Sequence, residues 1–382
     1  MKFSLSWLRT HLETEAPLEK ITETLSAIGL EVDGVEDRAA PLAPFRTARI
    51  IEAQKHPNAD RLRACRVDIG TGEEVSVVCG APNARTGLHV VFAPPGAFIP
   101  GSGITLKTGE IRGVVSAGML LSSREMALGD DHDGIVELPE NTPVGLPYAA
   151  WAGLDDPVIE IGVTPNRGDA LSIRGVARDL AACGLGRLLP WAPEPVPAAF
   201  ETPIGWSIDW PEACPWILGR SIRTLKNGPS PDWLQRRLTS IGLRPINALV
   251  DITNFFAFDL GRPLHVFDAE RIAGIELTLR RGGGEVFAAL NGRDLTAGPE
   301  DLVIADANGA VSLAGIMGGA DTGSSADTTH VFLECALFDP VQIALTGRRH
   351  QLSSDARQRF ERGVDQALPP AAIEAATRMI LD

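Results

Sequence analysis

Cysteine is scarce in this chain, and the few present do not pair by pattern. Cys65, Cys79, Cys183, Cys214 and Cys335 are scattered, odd in number and include no C-x-x-C. Neither a zinc knuckle nor a disulfide framework is suggested, and a reducing cytoplasm is the expected compartment. No apolar run is long enough to span a bilayer, so no membrane association is expected. The opening MKFSLSWLRTHLE is broken by Ser4, Ser6 and Arg9, so no signal peptide is expected there either. Gly-Lys-Ser/Thr occurs nowhere, which sets aside a Walker-type nucleotide site. Positive charge is short overall: the formal net charge is -14. That argues against a dedicated duplex DNA binder and confines any nucleic-acid contact to local patches. Lysine is rare, five residues against 30 arginines, and arginine is the better bidentate partner for phosphate.

What the chain does have is core material. Its 382 residues, 44% hydrophobic and 22% charged, suit two or three packed domains. An amphipathic helix is predicted from Pro17, with Leu18, Ile21, Leu25 and Ile28 on one face and Gly29 as its stop. A second lies in LSIRGVARDLAACG, where Val176, Ala177, Leu180 and Ala181 form a stripe ended by Gly184. Between them the texture changes. RTARIIEA, LRACRVDI, EVSVVCGA, LHVVFA and GIVEL read as short strands separated by turn residues, which suggests a small barrel or sandwich inserted into a helical domain. Pro190, Pro193, Pro195, Pro197 and Pro203 mark an extended linker. Beyond it lies a mixed α/β region. Its clearest helix is SPDWLQRRLTSIG, with Ser230 as N-cap, Pro231 first, an apolar face of Leu234, Leu238 and Ile241, and Gly242 as stop. GIELTLRR, DLVIAD and VFLECAL read as strands.

Four segments carry candidate chemistry, each with an ordinary reading beside it. KHPNADRLRACRVDIG contains Lys55, Arg61, Arg63 and Arg66, and residues 39–85 hold seven Lys and Arg against five Asp and Glu in an otherwise acidic chain. That suits contact with a phosphate backbone, and equally a solvated strand pair. The cluster Gly315, Gly318, Gly319 and Gly323 suits a tight turn, or a close approach of a ligand to backbone. His265 in GRPLHVFDAERI and Glu334 in VFLECALF are single polar residues among apolar neighbours. Such a carboxyl is costly to bury unless an arginine satisfies it or it awaits a ligand hydroxyl. No further His, Cys or Asp falls at metal-ligand spacing around either one. HQLSSDARQRFERGVD reads as an exposed charged helix or as an arginine rim for a polyanion.

Taken together, these segments resemble the large subunit of the bacterial phenylalanyl-tRNA synthetase family. KHPNADRL, VVCGAPN and SAGMLLSSREMALGDDHDGIVELP are similar to its inserted tRNA-binding barrel, an oligonucleotide-binding fold. VTPNRGDALSIRGVARDLAA is similar to the return of its N-terminal domain. RPINALVDITNF, GRPLHVFDAERI, AGIMGG, FLECALFDP and SSDARQRFERGVD are similar to its editing domain, in the family's order. Thr322 and Arg357 are small departures from the pattern. The resemblance implies a multidomain α+β chain. An N-terminal discontinuous domain spans 1–38 and 152–192, a tRNA-binding OB-fold 39–151, and a mixed α/β editing domain 203–382.

The resemblance also implies roles. The expected chain is the first half of a longer subunit of phenylalanine–tRNA ligase. Its partners are tRNA(Phe) and the small (alpha) subunit, in a two-plus-two heterotetramer. Adenylation from ATP lies on the small subunit. Magnesium is expected for the full-length enzyme, while no cofactor and no zinc are expected in this part. This part is expected to bind tRNA and to hydrolyse mischarged Tyr-tRNA(Phe). An apolar pocket gains only ~1–3 kcal/mol against an added hydroxyl, so a second site that hydrogen-bonds the hydroxyl is needed to remove tyrosine. On the family pattern Glu334 recognises that hydroxyl, and His265, Thr253 and Asn254 lie near the ester and its water. Arg244, Gly315 and Gly318 shape the pocket, and Ser354 with Ala356 forms a further wall. Whether His265 acts as base or positions the substrate stays open. Two competing readings are a non-catalytic tRNA-binding module and a stand-alone hydrolase acting on mischarged tRNA in trans.

Overall fold

The computed structural model describes residues 1–382, which divide into two units, Met1–Gly34 with Val158–Asp382 and Val35–Pro157.

The first unit opens with strand β1 (Lys2–Ser4) and helix α1 (Leu5–Arg9), followed by α2 (Leu18–Ala27) and β2 (Val32–Glu36). Sequence periodicity finds α2, whose Ile21 and Leu25 are buried and whose exit turns at Gly29 with φ +84°. It misses α1, which is too short for a stripe and is set by a cap, the Ser4 hydroxyl accepting from Trp7 N–H at 3.3 Å. In the second unit the main strands are β3 (Arg46–Lys55), β4 (Arg63–Asp68), β5 (Glu74–Cys79), β6 (His89–Ala93) and β7 (Met119–Leu120). They form one sheet in the order β7-β6-β3-β4-β5. The ten-residue β3 pairs with both β4 and β6 and bends at a bulge between Ile50 and Glu52, which is how a sheet coils toward closure. Ala117 N–H reaches Ser76 O at 2.8 Å across the gap. The result is a nearly closed, barrel-like sheet filled by alternate residues such as Ala48, Ile50, Cys65, Val67, Val77 and Cys79. The predicted GIVEL strand is absent. Its only ladder contact is the Leu138–His89 bridge.

The first unit resumes with β8 (Val158–Ile161), which pairs with β1 through Phe3 and Ile159, and with α3 (Ile173–Ala182), capped by Ser172 accepting from Gly175 N–H. The proline-rich stretch around 190–203 lacks regular structure, yet it is not a free linker. Val196 N–H donates to Glu374 at 2.7 Å, and Glu374 is paired with Arg220 at 2.6 Å. Then come β9 (Gly205–Ile208), β10 (Trp216–Ile222), α4 (Asp232–Ser240), α5 (Ala248–Asp259), β11 (His265–Asp268), β12 (Glu276–Arg281), β13 (Leu302–Asp306), β14 (Gly309–Leu313), β15 (Met317–Gly318), β16 (Val331–Leu337), α6 (Pro340–Arg349), α7 (Asp355–Phe360) and α8 (Pro369–Leu381). Two main sheets result, β9-β12-β13-β14-β15 and the three-stranded β10-β16-β11, beside a two-stranded hairpin of Glu285–Ala288 with Asp294–Ala297.

Ser230 does not cap α4, contrary to the sequence expectation. Pro231 holds the cap position without a side-chain bond, and the Ser230 hydroxyl donates to Asp251 at 2.5 Å. Asp251 is fully buried on α5, so its carboxylate takes the available donors, Ser230 and the Ile246 N–H at 2.8 Å. Helix α5 itself gives little periodic signal because it is apolar nearly all round, with Leu249, Ile252, Phe255, Phe256 and Phe258 buried. It packs on the N-terminal segment: Trp7 stacks on Phe255 at 5.4 Å between ring centres. Trp7 Nε1 donates to Asp259 at 2.8 Å, and His11 Nε2 meets the same oxygen at 2.7 Å. Packing therefore draws no boundary near residue 200. One hydrophobic core holds Phe3, Trp7 and Leu180 together with Leu249, Phe256 and Leu333.

Candidate functional site

The site begins with β16, the middle strand of its sheet, whose seven residues are all buried. Glu334 lies at its centre, opposite Gly219 of β10 on one side and His265 of β11 on the other. Residues directly opposite across a ladder share a face, so register alone sets the carboxyl beside the imidazole. Gly219 is required because a Cβ there would run into Phe332 and Trp206. The two side chains line a cleft of about 90 Å³, walled by Gly315, Met317, Gly318, Ala356 and Phe360.

Glu334 is only 6% exposed, and its carboxyl accepts no hydrogen bond from the protein. Burial pushes its pKa up to about 8, against the pull of the Arg262 cation. Burial likewise pulls His265 down to about 4. Its Nε2 is shielded from solvent without a partner, and its ring meets Phe267 edge-on at 4.4 Å. A neutral imidazole above pH about 4 and a neutral acid below pH about 8 leave the pair uncharged between those values. Both groups then keep a donor and an acceptor for a ligand.

The glycine loop closes the opposite wall. A Cβ at Gly318 would stand 2.7 Å from His265 Cε1 and 3.0 Å from Leu290 Cδ1, so the missing side chain is the space the imidazole occupies. Gly315 adopts φ +68°, a turn conformation open to glycine. Ser354 caps α7, accepting from Arg357 N–H at 3.1 Å, and donates to Ile316 O at 2.8 Å. It thereby pins the loop rather than lining the cleft itself.

His265, Glu334, Gly315, Gly318 and Ala356 are thus brought together, with Ser354 behind the loop. Thr253 and Asn254 are not among the lining residues. They sit half-buried on α5, and the Thr253 hydroxyl donates to Val250 O at 2.8 Å. Arg244 is exposed in the turn before α5 and does not line the cleft. HQLSSDARQRFERGVD is no exposed helix: Arg359 is 1% exposed, its guanidinium 4.3 Å over the Phe258 ring. Arg362 donates to Val163 O at 3.0 Å, and Arg357 pairs with Glu361 at 3.0 Å. Sequence reasoning passed over Arg262, Phe360 and Gly219. Arg262 lies inside the quoted GRPLHVFDAERI and Phe360 inside HQLSSDARQRFERGVD, whereas nothing in the local sequence marks Gly219. A larger cleft of about 660 Å³ lies among α4, α5 and α8. Its walls, with Trp233, Leu249 and Phe255, are mainly apolar, and Lys226, Arg378 and Asp382 also line it.

On the barrel, Arg61 and Arg63 are exposed and pair with no carboxylate. Lys55 stands directly opposite Arg63 in the β3–β4 ladder, a like-charge juxtaposition that an anion would relieve. Asp60 partly offsets Lys55 at 2.9 Å. Arg66 is committed elsewhere, to Glu52 at 3.0 Å and Glu74 at 3.2 Å.

Two domain families match the chain in succession, a tRNA binding domain over residues 45–147 and a B3/4 domain over residues 213–382. With the relatives that follow, they place the chain in the aminoacyl-tRNA synthetase class. The whole chain aligns with the phenylalanine–tRNA ligase beta subunit of Gluconobacter oxydans at 58% identity, covering 100% of this chain and 46% of that one. It aligns with the beta subunit of Cereibacter sphaeroides at 56%, covering 100% and 49%. The chain belongs to the phenylalanine–tRNA ligase beta subunit family, whose N-terminal half it matches. It spans about half the length of those relatives. Among solved structures, an N-terminal fragment of the phenylalanyl-tRNA synthetase beta-subunit from Pyrococcus horikoshii is 16% identical. It covers 51% of this chain and 62% of that one with a TM-score of 0.28, a likeness too slight to bear on the fold.

Proposed function

We propose that this chain binds tRNA through its barrel and hydrolyses mischarged Tyr-tRNA(Phe) in the β16 cleft, as part of a phenylalanine–tRNA ligase. The observation that carries the reading is the Glu334 carboxyl, buried at the cleft without a protein partner. A phenol supplies both a donor and an acceptor to such a group, whereas a phenylalanyl ring leaves it unmet at a cost of ~1–3 kcal/mol. The cleft would therefore select tyrosine by the atom that distinguishes it.

The chemistry is modest. Water oxygen attacks the carbonyl carbon of the aminoacyl ester, the carbon–oxygen bond to the terminal ribose breaks, and the ribose oxygen leaves as a hydroxyl with a proton from the water. Free tyrosine and uncharged tRNA result. The ester is already activated, so holding water and ester in line supplies much of the rate. His265, neutral at physiological pH, suits that holding role: one nitrogen donates while the other accepts. Gly318 leaves the space its ring needs, and Gly315 with Ala356 forms the walls. Thr253, Asn254 and Arg244 do not line the cleft, and no step is assigned to them.

On the same reading the chain works in the cytoplasm beside the small (alpha) subunit in a two-plus-two heterotetramer, with adenylation of phenylalanine on that subunit. Magnesium belongs to the adenylation step. No group of three His, Cys, Asp or Glu side chains in this chain fits a metal ion, so no editing step is routed through one. The test is direct. The chain is given Tyr-tRNA(Phe) and Phe-tRNA(Phe), and release of each amino acid is followed. Faster release of tyrosine, abolished by Glu334→Ala, supports editing. Binding of both without release would leave a tRNA-binding module only.

A further inference from the structure

Arg262 is unexplained by the editing reading. It is fully buried, and it directly precedes Pro263, Leu264 and His265 of the cleft wall. Its Nη2 donates to Ala336 O at 2.9 Å, two residues beyond Glu334 on the same strand. Its Nε and Nη1 are buried with no partner, and it forms no ion pair. Its guanidinium carbon lies 5.4 Å from the centre of the Phe360 ring, and Phe360 lines the cleft. A buried cation with two unmet nitrogens weakens a fold, and an apolar side chain of similar volume is often as good or better. Groups that cost stability in this way concentrate where they act on a functional site.

The surroundings leave Arg262 as the uncompensated cation. Around Glu334 stand His265 on β11, Cys335 on β16 and Cys214 ahead of β10. Of the other cations on the packed elements, Arg220 of β10 pairs with Glu374 of α8, Arg271 with Asp268 and Arg359 with Asp355, whereas Arg378 of α8 is exposed to solvent and Arg362 donates to Val163 O. Asp365 acts on Arg262 electrostatically without pairing.

We propose that Arg262 is a positioning residue of the cleft: tied to the strand that carries Glu334, its uncompensated cation sets the ionisation of that carboxyl and so the hydrogen-bonding form it presents to a phenol. The inference rests on the editing reading for the phenol, and for the coupling on the tie from Arg262 to Ala336 O, two residues from Glu334, and on its approach to Phe360 of the cleft. The direction is fixed by sign, since a nearby cation favours the carboxylate and opposes the effect of burial.

The test uses the intact chain with Arg262→Met, Arg262→Gln and Arg262→Lys. The Glu334 carboxyl is titrated by carbon-13 NMR of labelled glutamate, assigned by its loss in Glu334→Gln. Losing the charge, in Met or Gln, moves the midpoint upward by about one to three pH units, while Lys stays near wild type. The thermal midpoint of Arg262→Met is kept or raised, and the pH profile of Tyr-tRNA clearance moves with the titration. Gln keeps a donor for Ala336 O, so it separates loss of charge from loss of fold should Met not fold. A Glu334 midpoint unmoved in folded Met or Gln protein overturns the inference. A moved midpoint in a protein whose wild type clears no Tyr-tRNA supports the coupling and overturns the editing reading instead.

Discussion

At the scale of single residues, the behaviour of the cleft follows from two groups held away from their usual charge states. Glu334 carries a folded pKa of about 8 against an ordinary 4.5. A raised carboxyl pKa means that the folded state keeps a proton the unfolded state has lost. Stability therefore falls as pH rises from about 4.5 to about 8, by roughly 1.4 kcal/mol per unit at most. Glu334→Gln, which cannot ionise, removes that loss. Urea unfolding should show the variant close to wild type near pH 4 and more stable near pH 8; equal stabilities at pH 8 would refute the raised pKa. His265 has the opposite sense: its folded value of about 4 lies below 6.5, so its contribution fades as pH drops through that interval. Function points the other way from stability. Glu334→Ala should leave the fold intact yet lower kcat/KM for Tyr-tRNA by about 1–3 kcal/mol, roughly five- to 150-fold. Phe-tRNA synthesis by the complete ligase, the control, should be unaffected.

At the scale of elements, β11 and β16 fix the facing pair, and the turn between β14 and β15, with α7 beside it, completes the cleft. The approach of Gly318 to the His265 ring is the tightest constraint there. Gly318→Ala should push the imidazole aside at a stability cost of about 1–3 kcal/mol, typical of overpacking. Gly318→Trp should fill the cleft. Tyr-tRNA clearance and the thermal midpoint, measured on each variant, separate the two effects. A folded tryptophan variant that still clears Tyr-tRNA at the wild-type rate would move the pocket elsewhere. On the barrel, β3, β4 and the turn between them present Lys55, Arg63 and Arg61 without full neutralisation, while Arg66 is already paired twice. Arg61→Ala with Arg63→Ala should reduce the slope of log affinity for tRNA against log salt by about 0.7–0.9 for each phosphate no longer neutralised. Arg66→Ala should change it less. Equal effects at all three positions would mean that the pairing of Arg66 does not matter.

At the scale of the whole molecule, the unit formed by Met1–Gly34 and Val158–Asp382 shares one core although its parts are far apart in sequence. Asp259 is the polar fastening within that core, receiving both Trp7 and His11. Asp259→Ala leaves two buried ring nitrogens unpaired and should cost about 2–5 kcal/mol. Chemical unfolding followed by tryptophan fluorescence measures it. A loss below about 1 kcal/mol would show that the apolar packing of Trp7 on Phe255 suffices alone. The formal charge of -14 makes the uncommitted arginines on the barrel the more informative, since the rest of the surface repels a polyanion.

The sequence by itself determined the elements whose residues face two environments. Helices α2 and α3 and strands β3 to β6 were legible because alternation or a stripe records a wet side and a dry side. The resemblance drawn from local motifs selected Glu334, His265, Gly315, Gly318 and Ala356, which the fold then gathers at one cleft. Tertiary structure alone decided what local chemistry cannot express. Helix α5 left no period because it is buried nearly all round, and Ser230 was drawn from capping by the buried Asp251. The facing of Glu334 and His265 depends on register between strands more than sixty residues apart in the chain. Arg262 reads locally as one more arginine. Only packing strips it of solvent and leaves its charge uncompensated beside the cleft wall, because desolvation and long-range pairing are properties of the folded neighbourhood rather than of the residues next to it in sequence.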